Sequence, residues 1–593
     1  DAQESRGLGD VYKRQRQIST LGAMDTTPKT TSFKSFRNES SEFMDQALGG
    51  IVAAHPYAEW HKEGFIGLAD DERKERVAVI SGGGSGHEPM HAGFIGEGML
   101  DAACPGLLFT SPNAVQIAAA TEWADRGQGV VHVVKNYTGD VMNFTVADNN
   151  TDAKVKQVLV ADDAATEIGD DEDSPGRRGT GATIIVEKIA GASAARGDDL
   201  ATVAELAQRA ADRSRSMAVA LEAGHMPTTD RKTFDLEEQQ IEVGVGIHGE
   251  PGVERRDESD EHPTAESLVS ELLDGIIESL NAADVTVDGA DVLLLVNGLG
   301  GTSEIELDLV FGEALKQLTD RGVTVRRGLR GSLVTSLNMA GISLTVTVLD
   351  DELIELLDAD TNAPAWPAVA KDPKFELAVM EDDAEQPDEG GENEWLSAFV
   401  ERMQKSFDDL TELDRVAGDG DFGNNMEAAF GKIDTPLKGT DAELLDFIAH
   451  RILVRAGGTS GAVLGTFFLE MSEAFEGVDS RDADASAFAE ALAEGLQRGV
   501  DAITDLGGAK EGDNTVIDAL APAAKAAKEA RGDAVEGVLE AILEPAVEGA
   551  KSTRGMEAKK GRASYIGESA AEVPDPGAIA VTWLFGETAV DDF

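Results

Sequence analysis

Cysteine and long apolar runs are scarce in this chain, and both scarcities narrow what the protein can be. A single cysteine, Cys104, excludes an intramolecular disulfide, which is typical of proteins in a reducing compartment. No run approaches the roughly 18 apolar residues that a membrane span requires. The residues before Met24 also lack the apolar segment of a secretory signal. We therefore expect a cytoplasmic protein that does not cross a membrane.

Basic residues are scarce as well. The chain has 51 Lys+Arg against 111 Asp+Glu, which gives a formal net charge of −60. A field of this sign repels nucleic acid and anionic lipid, so neither is an expected partner. An imbalance of this size predicts a halophilic protein in a salt-rich cytoplasm, where a Debye length of about 3 Å at 1 M salt screens the carboxylates. The alternative is a merely acidic protein from an organism that needs little salt.

The first part of the chain has the pattern of an α/β fold. From about Phe33 to Trp366, short apolar runs rich in β-branched residues alternate with helical stretches. Several runs are apolar without alternation, as in strands that helices cover on both faces. The predicted strands are Val77 to Ile80, Val130 to Val134, Val158 to Val160, Thr183 to Val186, Val292 to Val296 and Leu344 to Leu349. We predict two α/β subdomains within residues 33–370.

The composition changes after Ala370. Residues 371–394 are acidic and interrupted by Pro387 and glycines, which predicts a linker. From 395 to 593 apolar residues recur at three-to-four-residue spacing, which predicts an all-α domain. Residues 1–23 contain GLGDVYKRQ, which resembles translated sequencing adaptor, so we interpret them as a non-native extension.

Three motifs of the α/β half point to a small-molecule site. A glycine-rich loop that carries His87 follows a predicted strand, and KNYTGD, with Lys135 and Asp140, follows the next. Glycines at a strand's carboxyl end let backbone amides approach a ligand, at the edge where open α/β sheets bind ligands. The third motif, GIHGEPG, contains His248. A neutral imidazole can add to a carbonyl but not to an alcohol. A lone histidine is more often a packed structural residue, but the flanking glycines of His87 and His248 favour access.

The helical half carries an acidic motif. LDRVAGDGDFGNN places Asp414, Asp419 and Asp421 within eight residues, and its glycines allow the carboxylates to converge. Mg²⁺ prefers such oxygen ligands and shares them with phosphate. In so acidic a chain, a solvated turn is the alternative interpretation. No G-x4-G-K-[ST] string of a Walker A loop occurs, so we expect metal and helix amides to neutralise a bound polyphosphate.

These strings together resemble dihydroxyacetone (glycerone) kinases of the fused single-chain form. The similarity covers Phe33 to Trp366, including GRRGTGATIIVEKIAGA, and Trp395 to Phe593. It implies that His248 binds the ketone covalently as a hemiaminal. It also implies that the substrate contacts are Gly84, Ser85, Gly86, His87, Lys135 and Asp140. Either Asp140 or His87 is then the general base, and the sequence leaves that choice open.

In the helical domain the resemblance implies a site for ATP and Mg²⁺. Asp414, Asp419 and Asp421 would hold two magnesium ions that bridge the phosphates. The nucleotide contacts would be Phe422, Gly423, Asn424, Asn425, Thr459, Ser460, Gly507, Val516, Arg562, Asp575 and Gly577. Phe422 stands where the family often has histidine or a small polar residue, and Val516 stands where it has methionine. Both departures put the packing around the nucleotide in doubt.

The implied activity is ATP-dependent phosphorylation of dihydroxyacetone, as in glycerol metabolism, by a homodimer. A second candidate is a phosphotransferase that keeps ADP bound and takes phosphate from a phosphocarrier protein. Fusion of both domains in one chain without a carrier domain favours free ATP. A third candidate is a non-catalytic ketose-binding regulator, and a fourth is a kinase of carrier-bound acyl groups. The presence of His248 and the three aspartates disfavours the regulator, and the hydroxyketone motifs disfavour the acyl kinase.

Overall fold

The computed structural model divides the chain into two compact units between Leu377 and Ala378. It describes residues 33–69, 74–167, 176–229, 231–257, 263–380, 385–418, 420–482, 484–561, 564 and 572–593. The predicted extension, residues 1–23, lies outside the described residues. The predicted α/β half followed by an all-α domain is confirmed, while the domain bounds stay predictions.

The first unit begins with a six-stranded sheet of order β1-β2-β4-β3-β5-β6. Its strands are β1 (Ala58–His61), β2 (Phe65–Leu68), β3 (Ala78–Ser85), β4 (Ala102–Leu108), β5 (Val130–Lys135) and β6 (Val155–Val160). The four strands from β4 to β6 in this order run parallel, and β1 and β2 pair antiparallel at one edge. Parallel strands bring their carboxyl ends to one edge of the sheet, which is where the first candidate site lies.

Helices cover both faces of this sheet. They are α1 (Phe43–Ala54), α2 (Ala114–Ala124), α3 (Thr138–Asp148), α4 (Ala182–Arg196) and α5 (Leu200–Asp212). Ala78 and Ile80 pack with residues of α2 and α3. Their neighbour Val79 packs on the opposite face with residues of α4 and α5. Because both faces are buried, these strands are apolar without alternation, as predicted.

A second, seven-stranded sheet follows, of order β11-β10-β7-β14-β12-β13-β15. Its strands are β7 (Ser214–Glu222), β10 (Gln240–Val243), β11 (Glu254–Asp257), β12 (Asp291–Gly298), β13 (Thr324–Gly331), β14 (Ala340–Val348) and β15 (Ala370–Lys371), while β8 (His225–Met226) and β9 (Arg231–Lys232) form a small separate pair. Among these described strands, only β12 and β13 pair in parallel. The helices α6 (Ala265–Ala282), α7 (Glu304–Asp320) and α8 (Asp351–Asp358) complete the unit.

One of the predicted strands is wrong. Thr183 to Val186 begins the helix α4, whose residues 182–194 are all buried. Apolar residues from both sheets, such as Val79 and Leu293, share one core cluster with α4. A helix buried on every side has no polar face, so its sequence cannot be told from that of a buried strand by periodicity. The other five predicted strands are confirmed.

The second unit is helical. It contains α9 (Glu394–Gln404), α10 (Phe407–Ala417), α11 (Phe422–Phe430), α12 (Asp441–Arg455), α13 (Gly458–Ala474), α14 (Ala485–Gly507), α15 (Ile517–Glu529), α16 (Val535–Ser552) and α17 (Pro576–Thr582). A single apolar cluster that includes Phe399, Phe430, Phe467 and Leu492 holds them together. Among the described residues, no helix of either unit has the length and apolarity needed to cross a bilayer.

Candidate active site

The first site is built where β3 and β5 end side by side. His87 follows β3 by two residues, Lys135 is the last residue of β5, and Asp140 lies in the first turn of α3. All three side chains are buried, with 0%, 0% and 2% of their surface exposed. β3 and β5 pair in parallel, so their ends meet at one edge of the sheet. The structure therefore brings the predicted residues of the two motifs to one edge.

His248 joins this crevice from the loop that follows β10. Its ring centroid lies 4.8 Å from that of His87, and the two rings meet edge to face. Phe109 and Tyr137 also contact the imidazole, with centroid distances of 5.4 and 4.5 Å. The His248 side chain keeps 17% of its surface exposed. The imidazole is thus held among three rings while one part of it stays accessible.

Polar contacts fix the orientation of the His248 ring. Its Nδ1 lies 3.0 Å from Oε1 of Glu250, and its backbone N–H donates to Oε2 of the same carboxylate at 3.0 Å. Arg178 lies 4.0 Å from Glu250 and is itself held by Asp163 and by the carbonyl of Gly244. Although burial opposes it, the hydrogen bond from His248 lowers the pKa of Glu250. An ionised Glu250 accepts the Nδ1 proton, so Nε2 carries the lone pair.

His87 presents the same tautomer to the crevice. Its Nδ1 lies 2.7 Å from the carbonyl oxygen of Thr335, which can only accept, so the ring proton is on Nδ1. Its Nε2 is buried and has no hydrogen-bond partner in the described part of the chain. Burial, followed by the nearby His248 and Lys135, holds the pKa of His87 well below its usual value. His87 is therefore a neutral acceptor for a hydroxyl.

Asp140 offers a second acceptor. Its Oδ2 lies 3.4 Å from Nζ of Lys135, while Oδ1 is buried with no hydrogen-bond partner among the residues described. A buried polar atom without a partner is rare and points to a ligand or a water. The unpaired atoms of His87 and Asp140 are therefore suited to the hydroxyl groups of a small polyol or ketose.

The glycine loop shapes the wall of the crevice. A Cβ on Gly84 would lie 2.7 Å from the Phe109 backbone, and one on Gly86, whose φ is +105°, would lie 2.7 Å from the Phe109 ring. The Ser85 hydroxyl donates to the carbonyl of Gly106 at 2.7 Å, and the Gly86 N–H donates to Glu88 at 2.9 Å. These groups thus have partners within the protein, and the glycines allow close packing against Phe109.

The second site is a cleft of about 270 Å³ in the helical unit. The N-terminal ends of α11, α13, α15 and α17 open onto it, so the positive ends of their helix dipoles face the cleft. Of the residues predicted from the sequence, the lining includes Asp414, Asp421, Phe422, Thr459, Ser460, Gly507, Val516, Asp575 and Gly577. Such a cleft is suited to a polyphosphate.

Carboxylates concentrate at one end of this cleft. Oδ2 of Asp414 accepts from the backbone N–H groups of Asp421 and Phe422 at 2.9 and 3.1 Å, which ties α10 to the start of α11. Burial and the nearby Asp414 raise the pKa of Asp421. Burial, with Asp518 and Asp414 adding to it, raises the pKa of Asp575 to about 7. Neighbouring carboxylates repel each other when ionised, and a bound cation would stabilise their ionised forms.

The remaining predicted residues of this domain are placed differently or not described. Gly423 does not line the cleft, since it packs where a Cβ would lie 2.1 Å from the Thr411 hydroxyl. Asn424 is exposed and Asn425 accepts from the Gly457 N–H at 3.2 Å, and neither lines the cleft. The remaining aspartate of the motif, Asp419, and Arg562 lie outside the described residues. Among the residues that are described, no cluster of three or more His, Cys, Asp or Glu forms a metal site.

Sequence reasoning missed several residues of both sites. Phe109, Tyr137 and Glu250 surround His248, and Lys560 lines the cleft, where its Nζ donates to the carbonyl of Gly507 at 3.0 Å. Tyr137, Glu250 and Lys560 stand inside motifs that had already pointed to a ligand. The signal was position within those motifs, since binding and catalytic residues are concentrated on loops that a rigid scaffold positions.

Known proteins resemble both units of this chain in sequence, and a solved structure resembles them in fold. The family models described as Dak1 domain and DAK2 domain match residues 49–365 and 416–589. Triokinase/FMN cyclase of Homo sapiens is 36% identical over 92% of this chain and 97% of its own length. L-erythrulose 1-kinase of Mycolicibacterium smegmatis is 34% identical over 92% and 97%. The crystal structure of the dihydroxyacetone kinase from C. freundii in complex with AMP-PNP and Mg²⁺ is 30% identical, covers 93% of this chain and 98% of that one, and has a TM-score of 0.58.

These matches extend over both units and concern kinases. The fold is that of a two-domain kinase. The chain belongs to the dihydroxyacetone kinase family.

Glu250 provides a direct test of how His248 is oriented. Glu250→Ala should slow any reaction of His248 with a ketone by about 10- to 100-fold, because the ring loses the partner of its Nδ1 proton. Glu250→Gln keeps an acceptor without the charge and should lie between the alanine variant and the parent. The rate is measured by ¹³C NMR with dihydroxyacetone labelled at its carbonyl carbon. Equal rates in all three proteins would contradict an orienting role of Glu250.

Proposed function

We propose that this protein phosphorylates dihydroxyacetone at the expense of ATP, with the ketone held as a hemiaminal on His248. One observation carries the proposal. An accessible imidazole, with Nδ1 tied to Glu250, adjoins His87, whose Nε2 is a buried acceptor without a partner among the described residues. Asp140 supplies a second such acceptor at the same sheet edge. A nucleophile for a carbonyl and two acceptors for hydroxyls are what a small hydroxyketone requires.

The capture step follows from the tautomer of His248. Its Nε2 lone pair attacks the carbonyl carbon, and the C–N bond forms while the carbonyl electron pair moves to oxygen, which takes up a proton. The ring is positively charged, and the Glu250 carboxylate stabilises that charge until it accepts the Nδ1 proton, which balances the proton that the oxygen takes from water. Glycerol has no carbonyl carbon and cannot form this bond. The ketose is therefore selected by reactivity.

Asp140 is better suited than His87 to act as the general base. Its Oδ1 is unpartnered while Oδ2 lies beside Lys135, so the carboxylate presents a single free oxygen. Protonation of His87 is opposed by burial and by the neighbouring His248 and Lys135. We assign to Asp140 the removal of the proton from the attacking hydroxyl, and to His87 the orientation of the ketose through Nε2.

The cleft of the helical unit is suited to Mg²⁺ and ATP as cofactors. Asp414, Asp421 and Asp575 form an acidic end that a divalent cation would neutralise, and the helix N-termini supply N–H donors for phosphate oxygens. When bound, Mg²⁺ would offset the charge of the phosphates during transfer. Lys560 also lines this cleft and adds a positive charge to it. The C. freundii relative was solved with AMP-PNP and Mg²⁺.

Asp421→Asn tests the acidic end of the cleft. It should weaken magnesium-dependent binding of AMP-PNP by at least about tenfold, because a carboxylate ligand of the cation is lost. Capture of the ketone by His248 should be unchanged. Calorimetric titration with and without Mg²⁺ measures the first effect and ¹³C NMR the second. Asp409→Asn is the control, since Asp409 is an exposed residue of α10 outside the cleft lining. Unchanged nucleotide affinity in Asp421→Asn would contradict the metal assignment.

The phosphate donor and the substrate are tested with purified protein alone. We expect ADP and dihydroxyacetone phosphate to form from ATP, Mg²⁺ and dihydroxyacetone without any other protein. Turnover only with an added phosphocarrier would favour the phosphotransferase, and ketose binding without turnover would favour a regulator. Parallel assays with erythrulose are informative because one relative is an erythrulose kinase. A much higher kcat/KM for erythrulose would identify erythrulose as the substrate in place of dihydroxyacetone. The proposed mechanism would be unchanged.

A further inference from the structure

A chain of buried polar groups extends from the crevice into the core, beyond the residues assigned so far. Nζ of Lys135 lies 3.0 Å from Nε2 of His91, and Nδ1 of His91 lies 2.6 Å from Oε1 of Glu187 on α4. At its other end Lys135 lies 3.4 Å from Oδ2 of Asp140. Lys135 and Glu187 are fully buried and His91 is 6% exposed. The chain therefore connects Glu187, deep in the unit, to the proposed general base.

The hydrogen-bond roles in this chain are determined by Lys135. An ammonium group donates three hydrogen bonds and accepts none. Its three partners are Nε2 of His91, Oδ2 of Asp140 and the carbonyl of Gly82, the last at 3.1 Å. His91 must therefore accept at Nε2 and carry its proton on Nδ1, where Glu187 accepts it. All three donors of Lys135 thus have acceptors, and its position is fixed from three sides.

Burying this chain of polar groups costs folding free energy, so we expect it to serve a function. Replacing buried ion pairs by apolar groups of similar volume is often neutral or stabilising, so stability alone does not account for the chain. Burial holds the pKa of His91 well below its usual value, and Lys135 and His87 add to the effect. Burial also raises the pKa of Glu187 to about 8, against hydrogen bonding by Ser81 and the charge of Lys135. A neutral His91 is what an acceptor for Lys135 requires.

The backbone of the glycine loop is shaped around the same lysine. A Cβ on Gly83 would lie 2.1 Å from Nζ of Lys135 and 3.1 Å from Nε2 of His91. Only glycine leaves room there for the ammonium. The loop predicted to bind the ketose therefore also houses the junction between Lys135 and His91.

We propose that His91 and Glu187 are positioning residues for the phosphorylation reaction. Together they hold the Lys135 ammonium against Oδ2 of Asp140, so that Oδ1 alone faces the hydroxyl that attacks the phosphate. This inference rests on the proposed function, because it assigns the two residues to the general base of that reaction. Neither residue touches the reacting atoms. Their effect should therefore fall on phosphoryl transfer and not on capture of the ketone.

The test compares His91→Leu, which removes the acceptor of Lys135, with His91→Gln, whose amide oxygen can replace Nε2. In His91→Leu we expect kcat to fall about 10- to 100-fold, with KM for the ketose and formation of the His248 adduct unchanged within about twofold. His91→Gln should recover most of the lost kcat. Glu187→Leu should lower kcat in the same direction but by less, because the Ser81 hydroxyl oxygen lies 3.0 Å from Nδ1 of His91 and can still accept its proton.

Lys188→Met is the matched control. Lys188 is the neighbouring buried charge on α4, and its Nζ donates to the carbonyl of Leu356, away from the chain. We expect its kcat to match the parent, and thermal unfolding of every variant shows that it is folded. An equal loss of kcat in Lys188→Met, no rescue by His91→Gln, or an equal loss of adduct formation in His91→Leu would each overturn the proposal.

Failure of the proposed function can be told apart from failure of this inference. If the parent protein phosphorylates no ketose, the proposed function fails. The positioning role is then decided by crystal structures of the parent and of His91→Leu. We expect Lys135 to leave Asp140 in the variant and to stay beside it in Lys188→Met. An unmoved Lys135 in His91→Leu would overturn the positioning role by itself.

Discussion

His248→Ala is expected to abolish covalent capture of the ketone and to lower kcat/KM for dihydroxyacetone by at least about a hundredfold. In the proposed mechanism the imidazole fixes the carbonyl carbon by a bond. Without it the ketose would be held only by hydrogen bonds that its hydroxyls donate to acceptors such as His87 and Asp140. A small ketose held so loosely spends little time with its hydroxyl in line with the phosphate. The preference for ketose over glycerol should fall as well, because alanine cannot distinguish a carbonyl from an alcohol.

Steady-state kinetics with both substrates measure this change. His225→Ala is the control: His225 lies in the same unit but contacts Phe33 and Asn338 and takes no part in the ring cluster around His248. It should retain the parent's kinetics. If His248→Ala kept normal kcat/KM and normal discrimination, the covalent role of His248 would have to be abandoned.

Asp140→Asn is expected to lower kcat by about 10²- to 10⁴-fold while the ketone is still captured. The amide cannot remove a proton from the attacking hydroxyl, although it preserves the size of the side chain. It also leaves the buried ammonium of Lys135 without its anionic partner, so some loss of stability accompanies the change. Asp140→Asn should thus keep capture of the ketone and lose phosphoryl transfer, whereas His248→Ala should lose both.

Single-turnover phosphorylation and ¹³C NMR of the bound ketose measure these two steps for Asp140→Asn. Asp152→Asn, an exposed aspartate shortly after α3, makes the same change of charge and should behave as the parent does. Full phosphoryl transfer in Asp140→Asn would move the role of general base to His87. In that case His87→Asn should show the loss expected of Asp140→Asn.

The strands could be predicted from the sequence where helices cover both faces of the sheet. Val79 and Ile80 pack on opposite faces of β3, and both faces are covered by helices, so a continuous apolar run was sufficient to identify the strand. The same rule failed at Thr183 to Val186. There the run belongs to α4, which is buried on all sides, and local sequence carries no signal that separates the two cases.

The chemistry of the site was predictable to the extent that it lies in short motifs. His87, Lys135 and Asp140 follow strand ends, and the parallel sheet brings those ends together. The partners that set protonation were not predictable. His87 is fixed by the carbonyl of Thr335, 248 residues away along the chain, and backbone carbonyls leave no trace in a sequence. His91 and Glu187, 96 residues apart, are joined only by the packing of α4.

In the helical unit the aspartate motif predicted the acidic end of the cleft, but not how its members divide their roles. Asp414 uses one oxygen to hold the start of α11, which local sequence does not reveal. Gly423 stands in the same motif and serves helix packing, because α10 passes too close for a side chain. Proximity in sequence to a ligand site thus did not distinguish residues that line the cleft from those that support it.

The central claim is that an imidazole captures the ketone before the phosphate is transferred. It is tested most directly by ¹³C NMR of the parent protein with dihydroxyacetone labelled at its carbonyl carbon, with ATP and Mg²⁺ added afterwards. The account predicts that the labelled carbon becomes tetrahedral on binding, that His248→Ala lacks this signal, and that the signal decays as dihydroxyacetone phosphate forms. Phosphorylation at the full rate while the bound carbon remains a ketone would contradict it.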